Sequence, residues 1–366
     1  MITERLSSSD LAIVGRARRR RRGPPGGFPK PDSNCLDIGL INNMPDAALD
    51  ATERQFRALL DAAADALVLR LTLYTLPEVP RTDFGRRQVS RYSDLDDLWS
   101  GHHDGLIVTG TEPRAADLDD EPFWGSLTRV LEWAEHSTHS TVLSCLAAHA
   151  GILHFDGITR RPLGDKRFGV FEYVRVCEHP LTAAAPSHLR MPHSRWNEIP
   201  EEALLACGYR VLTRSEEAGV DAFVKHQNSL FVFFQGHPEY EAVSLLLEFR
   251  RDIGRFLRGE RQTYPPMPHG YFDHETVEAL IALRARALMD RREELLAEFP
   301  LEMAAGKVTN TWRSTAVNLY RNWLAYIRAQ KEQKTDDRQP LPTDLLAGDA
   351  GVHADRAVPG VVRADR

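Results

Sequence analysis

The chain has 366 residues, is 42% hydrophobic and 27% charged, and carries a formal net charge of −6 at pH 7. That length and apolar content can bury a full core, as one large domain or one domain with an appendage, and the acidic balance gives no general reason to expect nucleic acid as a partner. Cys35, Cys145, Cys177 and Cys207 show no Cys-x-x-Cys spacing and no secretory signal precedes them, so a reducing cytoplasm is expected rather than a disulfide scaffold or a zinc site, and no apolar run approaches the roughly 20 residues of a membrane span.

Residues 1–34 set Arg16 and Arg18 to Arg22 before a Pro/Gly cluster, which reads as a disordered basic leader. Residues 331–366 are again polar and aperiodic and read as a disordered tail. Between them, Leu36 to Ile41 is a strand, the Asn42-Asn43-Met44-Pro45-Asp46 stretch a turn, and Thr52 to Leu60 a helix by apolar spacing. Leu67 to Tyr74 alternates like a strand, Gly105 to Gly110 is another and ends in a Gly-Thr-Glu-Pro turn, and Phe123 to Trp133 is a helix. Alternating strands and helices predict a parallel sheet covered on both faces, with ligands beyond the carboxyl ends of its strands.

Ser140 to Ser144 is a β-branched, apolar run that reads as a buried strand, and the small residues after Cys145 open a helix. On such a turn the helix amides favour thiolate over thiol. A buried cysteine acting as a small hydrophobe is the plainer alternative. A second stretch decides against it: Leu230 to Gln235 is another buried strand, stopped by Gly236, with His237 and Glu239 just past its end. A cysteine, a histidine and an acid that orients the imidazole are the parts of an acyl-transferring nucleophile. The pairing is similar to the layout of class I glutamine amidotransferase-like domains.

Several further motifs, Asn43-Met44-Pro45, Thr52-Glu53-x-Gln55-Phe56, Asp104 to Gly110, Leu131-Glu132-Trp133, Pro192 to Trp196, Gly236 to Tyr240, Trp312-Arg313-Ser314 and Asn322-Trp323-Leu324, resemble the homoserine O-succinyltransferase family, in family order from about residue 35 to 330. The resemblance implies a ping-pong transfer in which Cys145 takes an acyl group from acyl-CoA as a thioester and a small amino-acid alcohol then attacks it. It makes His237 the general base and Glu239 its orienting acid. Leu146 N–H and a donor from the Gly110-Thr111-Glu112 turn, taken as Thr111, are the expected oxyanion pair, each worth roughly 3 kcal/mol of barrier. Lys166 matches a substrate-contacting lysine, Ser194 a position linked to the choice of alcohol, and Arg251 an arginine holding the substrate carboxylate. A planar guanidinium suits a carboxylate through two parallel hydrogen bonds. The plain structural alternatives are a surface lysine, a turn serine and a solvated helix face.

Two positions depart from the family pattern. Asp46-Ala47 stands where many members carry a lysine pair, and Arg114 where the family tends to have Gly with succinyl donors or Glu with acetyl donors. A guanidinium lining the acyl pocket pairs with a terminal carboxylate, so Arg114 points to succinyl over acetyl. His149, one turn after Cys145, is expected to pack rather than act as base. His102 and His103 have no third ligand at metal spacing, so no metal is expected, and Cys177 and Cys207 look structural.

The expected fold is three-layer α/β of the class I glutamine amidotransferase type, with a mostly parallel sheet, a catalytic domain over 35–270 and a helical C-terminal part over 271–330 packed on it. The expected function is acyl-CoA-dependent O-acylation of L-homoserine in methionine biosynthesis, with acyl-CoA as co-substrate, no cofactor, no nucleic-acid or membrane partner, and a homodimer left open. The alternatives are a glutaminase or cysteine hydrolase, and acylation of another amino-acid alcohol such as serine.

Overall fold

The computed structural model describes residues 34–336, so the leader expected over 1–34, all but Asn34, and most of the expected tail fall outside the described residues. The chain opens with β1 (Cys35–Ile41), α1 (Leu49–Ala63) and β2 (Val68–Tyr74), continues through α2 (Asp83–Val89) and α3 (Leu95–Ser100) to β3 (Gly105–Val108), then α4 (Trp124–Ser137), β4 (Ser140–Ser144) and α5 (Leu146–Asp156). The long hairpin β5 (Arg161–Arg175) and β6 (His188–Glu198) follows, then α6 (Glu201–Ala206) and short strands β7 (Arg210–Val211), β8 (Thr213–Ser215) and β9 (Gly219–Val220). Next come β10 (Ala222–His226), β11 (Leu230–Phe234) and α7 (Ser244–Leu257), and α8 (His274–Met289), α9 (Leu301–Lys307) and α10 (Arg313–Asp336) close the chain.

The main sheet has the order β2-β1-β3-β4-β11-β10-β7. Its first five strands run parallel, whereas β10 and β7 add antiparallel at one edge. Strand residues alternate between two cores. Ile38, Ile107 and Val142 face one core with Phe56 and Leu59 of α1 and Leu319, Trp323 and Ile327 of α10. Leu106, Val108 and Leu143 face the other with Val130 and Leu131 of α4 and Ala148 and Ile152 of α5. This is the period-2 pattern of a sheet covered on both faces, and it gives the three-layer α/β class expected from the sequence.

A second, four-stranded antiparallel sheet of order β6-β5-β8-β9 was not read from the sequence. Its strand β5 begins with polar residues and shifts register against β6 between Pro162 and Arg167, so no clean alternation marks it. The sheet closes on the main sheet where Gly236 ends β11: a Cβ there would come within 2.6 Å of Met191 Cγ and 2.9 Å of the Pro192 carbonyl. Only glycine lets the two backbones approach so closely.

The C-terminal helices close over this frame. Trp312 and Trp323 are buried, and each indole also donates a hydrogen bond, Trp312 to the Tyr240 carbonyl at 3.0 Å and Trp323 to Ser140 Oγ at 2.9 Å. Helix α10 runs to Asp336 and so takes in residues 331–336, which the sequence reading had assigned to the tail; Lys331 reaches back to Asp104 Oδ2 at 2.7 Å and the Cys35 carbonyl at 2.9 Å. Among the described residues no helix is long and apolar enough to cross a membrane.

Candidate active site

Cys145 occupies the turn between β4 and α5, at the carboxyl edge of the parallel strands. From Thr138 to Ile152 it is the one residue that is not buried. Its backbone takes φ 53° and ψ −112°, a region that a residue with a Cβ enters at a cost on the order of 1–3 kcal/mol. Three bonds hold it there: Cys145 N–H donates to the Phe234 carbonyl at 2.8 Å, and the Cys145 carbonyl accepts from Ala148 N–H at 3.0 Å and His149 N–H at 3.3 Å. The turn points the thiol away from the sheet and places the unpaired first amides of α5 beside it.

His237 follows β11, the strand paired with β4 through Phe234↔Ser144, which brings the imidazole to the cysteine across adjacent strand ends. Its Nδ1 sits 2.8 Å from Glu239 Oε1 and its backbone N–H donates to the Pro192 carbonyl at 2.9 Å. With Nδ1 on the carboxylate, Nε2 is the nitrogen left for the sulfur. Burial alone would push this imidazole down, but the neighbouring Cys145 sulfur and the Glu239 carboxylate outweigh it and hold the pKa well above the ordinary histidine value. The site therefore favours imidazolium beside the Cys145 sulfur.

The expected oxyanion donors come from two segments that are in contact. A Cβ added at Gly110 would come within 2.9 Å of Leu146 N, so the turn carrying Thr111 packs directly on the first amide of α5. Glu112 then ties this turn to α7, pairing with Arg255 at 2.9 and 3.2 Å.

Lys166, Ser194 and Arg251 are gathered as well, through two acids that the sequence reading missed. Lys166 comes from β5 and Ser194 from β6, where Phe168↔Ser194 sets the register. Buried Lys166 Nζ lies 3.1 Å from Asp252 Oδ2 and 3.7 Å from Glu248 Oε2, and Ser194 Oγ donates to Glu248 Oε2 at 2.5 Å. Arg251 Nη2 donates to Asp252 Oδ1 at 2.9 Å and lies 3.8 Å from Glu248 Oε2. Glu248 and Asp252 are one helical turn apart on α7, so they share a face. Both carboxyls sit below their ordinary pKa: burial works to raise them, and Lys166 and Arg251 together prevail. That i,i+4 acid pair flanking Arg251 was the available signal.

Arg114 is not brought into this group. Its side chain is exposed and makes no ion pair among the described residues, while its backbone N–H is clamped by buried Glu121 at 2.5 Å. Nearer the nucleophile is Arg160, also missed from the sequence: half-buried, charge-coupled to Cys145, Glu121 and Asp117, with its guanidinium 3.4 Å from the Ala116 carbonyl. Asp46 has turned away from any cationic role. Its carboxylate accepts from Thr82 N–H at 2.8 Å and Thr82 Oγ1 at 2.6 Å and lies 3.3 Å from buried Arg81, which in turn binds the Met44 carbonyl. His149 is fully buried on α5, and burial followed by the nearby Arg195 and Arg160 charges pushes its pKa down to about 3, which leaves it neutral and unsuited to the base's role.

The homoserine O-succinyltransferase family model matches residues 29–334. The chain belongs to the homoserine O-succinyltransferase family. Among its relatives, a homoserine O-succinyltransferase of Methylorubrum extorquens is 46% identical over 82% of this chain and 89% of its own length. One from Rhodopseudomonas palustris is 48% identical over 81% and 90%, and one from Bradyrhizobium japonicum 43% identical over 88% and 96%. Among solved structures, the chain is similar to a glutamine amido transferase from Methylobacillus Flagellatus, at 15% identity over 80% of this chain and 95% of that one, with a TM-score of 0.45.

Proposed function

We propose that this chain transfers a succinyl group from succinyl-CoA to the hydroxyl of L-homoserine, in the cytoplasm and as a step of methionine biosynthesis, without a cofactor. The observation that supports the reading best is the contact chain running from Cys145 through His237 and Tyr240 to Glu248, because it joins a nucleophile to a cluster able to hold an amino acid. Lys166 and Arg251 each lie within 4 Å of Glu248, so the cluster presents both signs of charge, which suits the carboxylate and ammonium of a small amino acid.

The Cys145 thiolate attacks the thioester carbonyl of succinyl-CoA. The oxyanion is met by the Leu146 and Thr111 amides, and the tetrahedral intermediate collapses with release of CoA thiolate, which takes the proton from His237. The homoserine hydroxyl then gives its proton to neutral His237 and attacks the Cys145 thioester. Collapse expels the Cys145 thiolate and leaves the O-succinyl ester. Glu239 keeps Nδ1–H engaged throughout, so that Nε2 serves as both acid and base.

Mass spectrometry of the protein after incubation with succinyl-CoA alone tests this reading. Wild type should gain one succinyl group that L-homoserine then removes, and Cys145→Ala should gain none. Acylation of Cys145→Ala at wild-type stoichiometry would remove the nucleophile from the scheme.

A further inference from the structure

The spacing of His102 and His103 leaves those residues without a third metal ligand, but the fold brings Asp104 and His139 to His102. His102 Nε2 lies 3.8 Å from Asp104 Oδ1 and His139 Nε2 lies 3.9 Å from the same oxygen. All three ligand atoms fall within 4.8 Å of one another. We propose that His102, Asp104 and His139 form a binding site for a divalent first-row transition ion of the zinc type, at the edge of the sheet opposite the cysteine.

The scaffold beneath the three side chains is fixed by sheet bonds. Asp104 and His139 precede neighbouring parallel strands β3 and β4, paired through Gly105↔Ser140. Asp104 N–H donates to the Asp37 carbonyl at 2.8 Å and His139 N–H to the Asp104 carbonyl at 3.0 Å, so two of the three ligands are held in register by backbone alone. Both are buried, whereas His102 is exposed and can swing. The Asp104 carboxylate is also oriented. Lys331 Nζ at 2.7 Å and Asp37 N–H at 2.8 Å both bind Oδ2, which leaves Oδ1 as the oxygen facing the two imidazoles. Such outer hydrogen bonds are how a ligating carboxylate is aimed and tuned.

The chemistry of the donor set narrows the ion. Two imidazole nitrogens and one carboxylate oxygen suit zinc, with a fourth position left for water, and are a poor set for calcium or magnesium, which prefer oxygen. At zinc bond lengths of about 2.0–2.2 Å, tetrahedral ligands stand roughly 3.3 Å apart, so both imidazoles would have to close on Asp104 Oδ1 by about half an ångström, exposed His102 by turning and buried His139 by a small shift of its ring. His103 stands outside this group of ligand atoms, and its Nε2 is engaged by the Tyr74 hydroxyl at 2.9 Å. From His139 to Cys145 is six steps along a strand, roughly 20 Å at ~3.3 Å per residue, so the ion would pin β3, β4 and, through Lys331, α10 rather than touch the chemistry.

Isothermal titration with zinc sulfate decides the matter, made in the Cys145→Ser background so that the catalytic thiol does not compete as a ligand. The full chain should bind one equivalent and show a zinc-dependent rise in Tm. His102→Ala should weaken that binding at least tenfold and abolish the rise in Tm, and in the otherwise wild-type chain it should leave acyl transfer unchanged. Because His102 is exposed, its loss does not threaten folding, whereas His139→Ala opens a buried position and is read only alongside circular dichroism. Cobalt(II) in place of zinc should give the visible bands of a tetrahedral site, absent in His102→Ala. No zinc binding in the Cys145→Ser protein, or equal affinity in its His102→Ala derivative, overturns the proposal.

Discussion

The rings of His237 and Tyr240 are stacked, with centroids 4.2 Å apart and planes 17° from parallel, and the Tyr240 hydroxyl donates to Glu248 Oε1 at 2.5 Å. One side chain therefore touches the His237 ring on its face and the charged cluster through its hydroxyl. Its backbone is anchored too, since the Tyr240 carbonyl accepts from both Asn310 and Trp312 at 3.0 Å. The C-terminal part thus braces the turn that carries His237.

Tyr240→Phe separates the two contacts, because it keeps the ring and removes the hydroxyl. A hydrogen bond to a charged acceptor is worth about 1.5–3 kcal/mol, or roughly ten- to a hundredfold. The expected result is a rise of that size in the KM for the amino-acid acceptor, with the rate of Cys145 acylation by succinyl-CoA changed less than about threefold. Stopped-flow acylation without acceptor, set against steady-state KM, checks it. Equal loss in both steps would mean that the hydroxyl acts on the base instead.

Glu239→Gln tests the origin of the raised His237 pKa. The amide oxygen can still accept from Nδ1–H, but the negative charge that helps to hold the imidazolium is gone. The protein should fold and lose up to about four powers of ten in turnover, as when an orienting acid is neutralised elsewhere. Alkylation of Cys145 by iodoacetamide gives an independent readout. Its pH profile should change, because the imidazolium beside the sulfur has lost the carboxylate that helps to hold it. An unmoved profile would sink this account of the ion pair.

Asp221 offers a stability test with a defined sign. It is fully buried beneath His237, accepts the Gly236 N–H at 2.7 Å, and is pushed by burial from 3.8 up to about 6, against the lowering effect of that N–H, Arg195 and His237. A folded-state pKa above the unfolded one means the native state binds the proton more readily. The contribution is fully present below about pH 3.8 and is lost as pH rises through about 6. At ~1.4 kcal/mol per pKa unit the swing is roughly 3 kcal/mol. Asp221→Asn cannot ionise and keeps an oxygen for Gly236, so its stability minus that of wild type should grow by that amount between pH 4 and 7. Denaturant melts of both proteins across this range measure the difference. A flat difference would show that Asp221 does not titrate in the fold.

What was legible in the sequence was whatever repeats at short range. The strands ending at Ile41, Val108, Ser144 and Phe234 are apolar runs bounded by turn residues, and Cys145 and His237 lie just beyond two of them, so the edge that holds the chemistry could be placed before any coordinates. The hairpin of β5 and β6 was hidden because half of β5 is polar and its register is broken near Pro162, although this hairpin delivers Lys166 and Ser194. Glu248 and Asp252 looked like the solvated face of α7, and only the packing of β5 and β6 against that face reveals them as buried counterions. The His102, Asp104 and His139 grouping joins two strand starts far apart in the chain, a relation set by strand order and invisible to local spacing.

The choice of acyl donor sets Arg114 against Arg160. The family resemblance puts Arg114 on the acyl pocket, yet its side chain is exposed, and an exposed guanidinium gains little from a carboxylate that water already solvates. Arg160 is half-buried, coupled in charge to Cys145, and backed by the carbonyl of Ala116 in the loop that follows Arg114. Its neighbours Glu121 and Asp117 leave it charged but do not exhaust it, because Glu121 Oε1 is already spent on the backbone amides of Arg114 and Ala115. A guanidinium in that setting can take the terminal carboxylate of a succinyl chain at about 1.5–3 kcal/mol, whereas an acetyl group offers it nothing. Arg160→Gln should therefore lower kcat/KM for succinyl-CoA by about ten- to a hundredfold and leave acetyl-CoA nearly unchanged, while Arg114→Gly should shift the succinyl-to-acetyl ratio less than about threefold. Measuring both donors in wild type and the two variants checks this, and a larger change of ratio in Arg114→Gly than in Arg160→Gln would return the selecting role to Arg114.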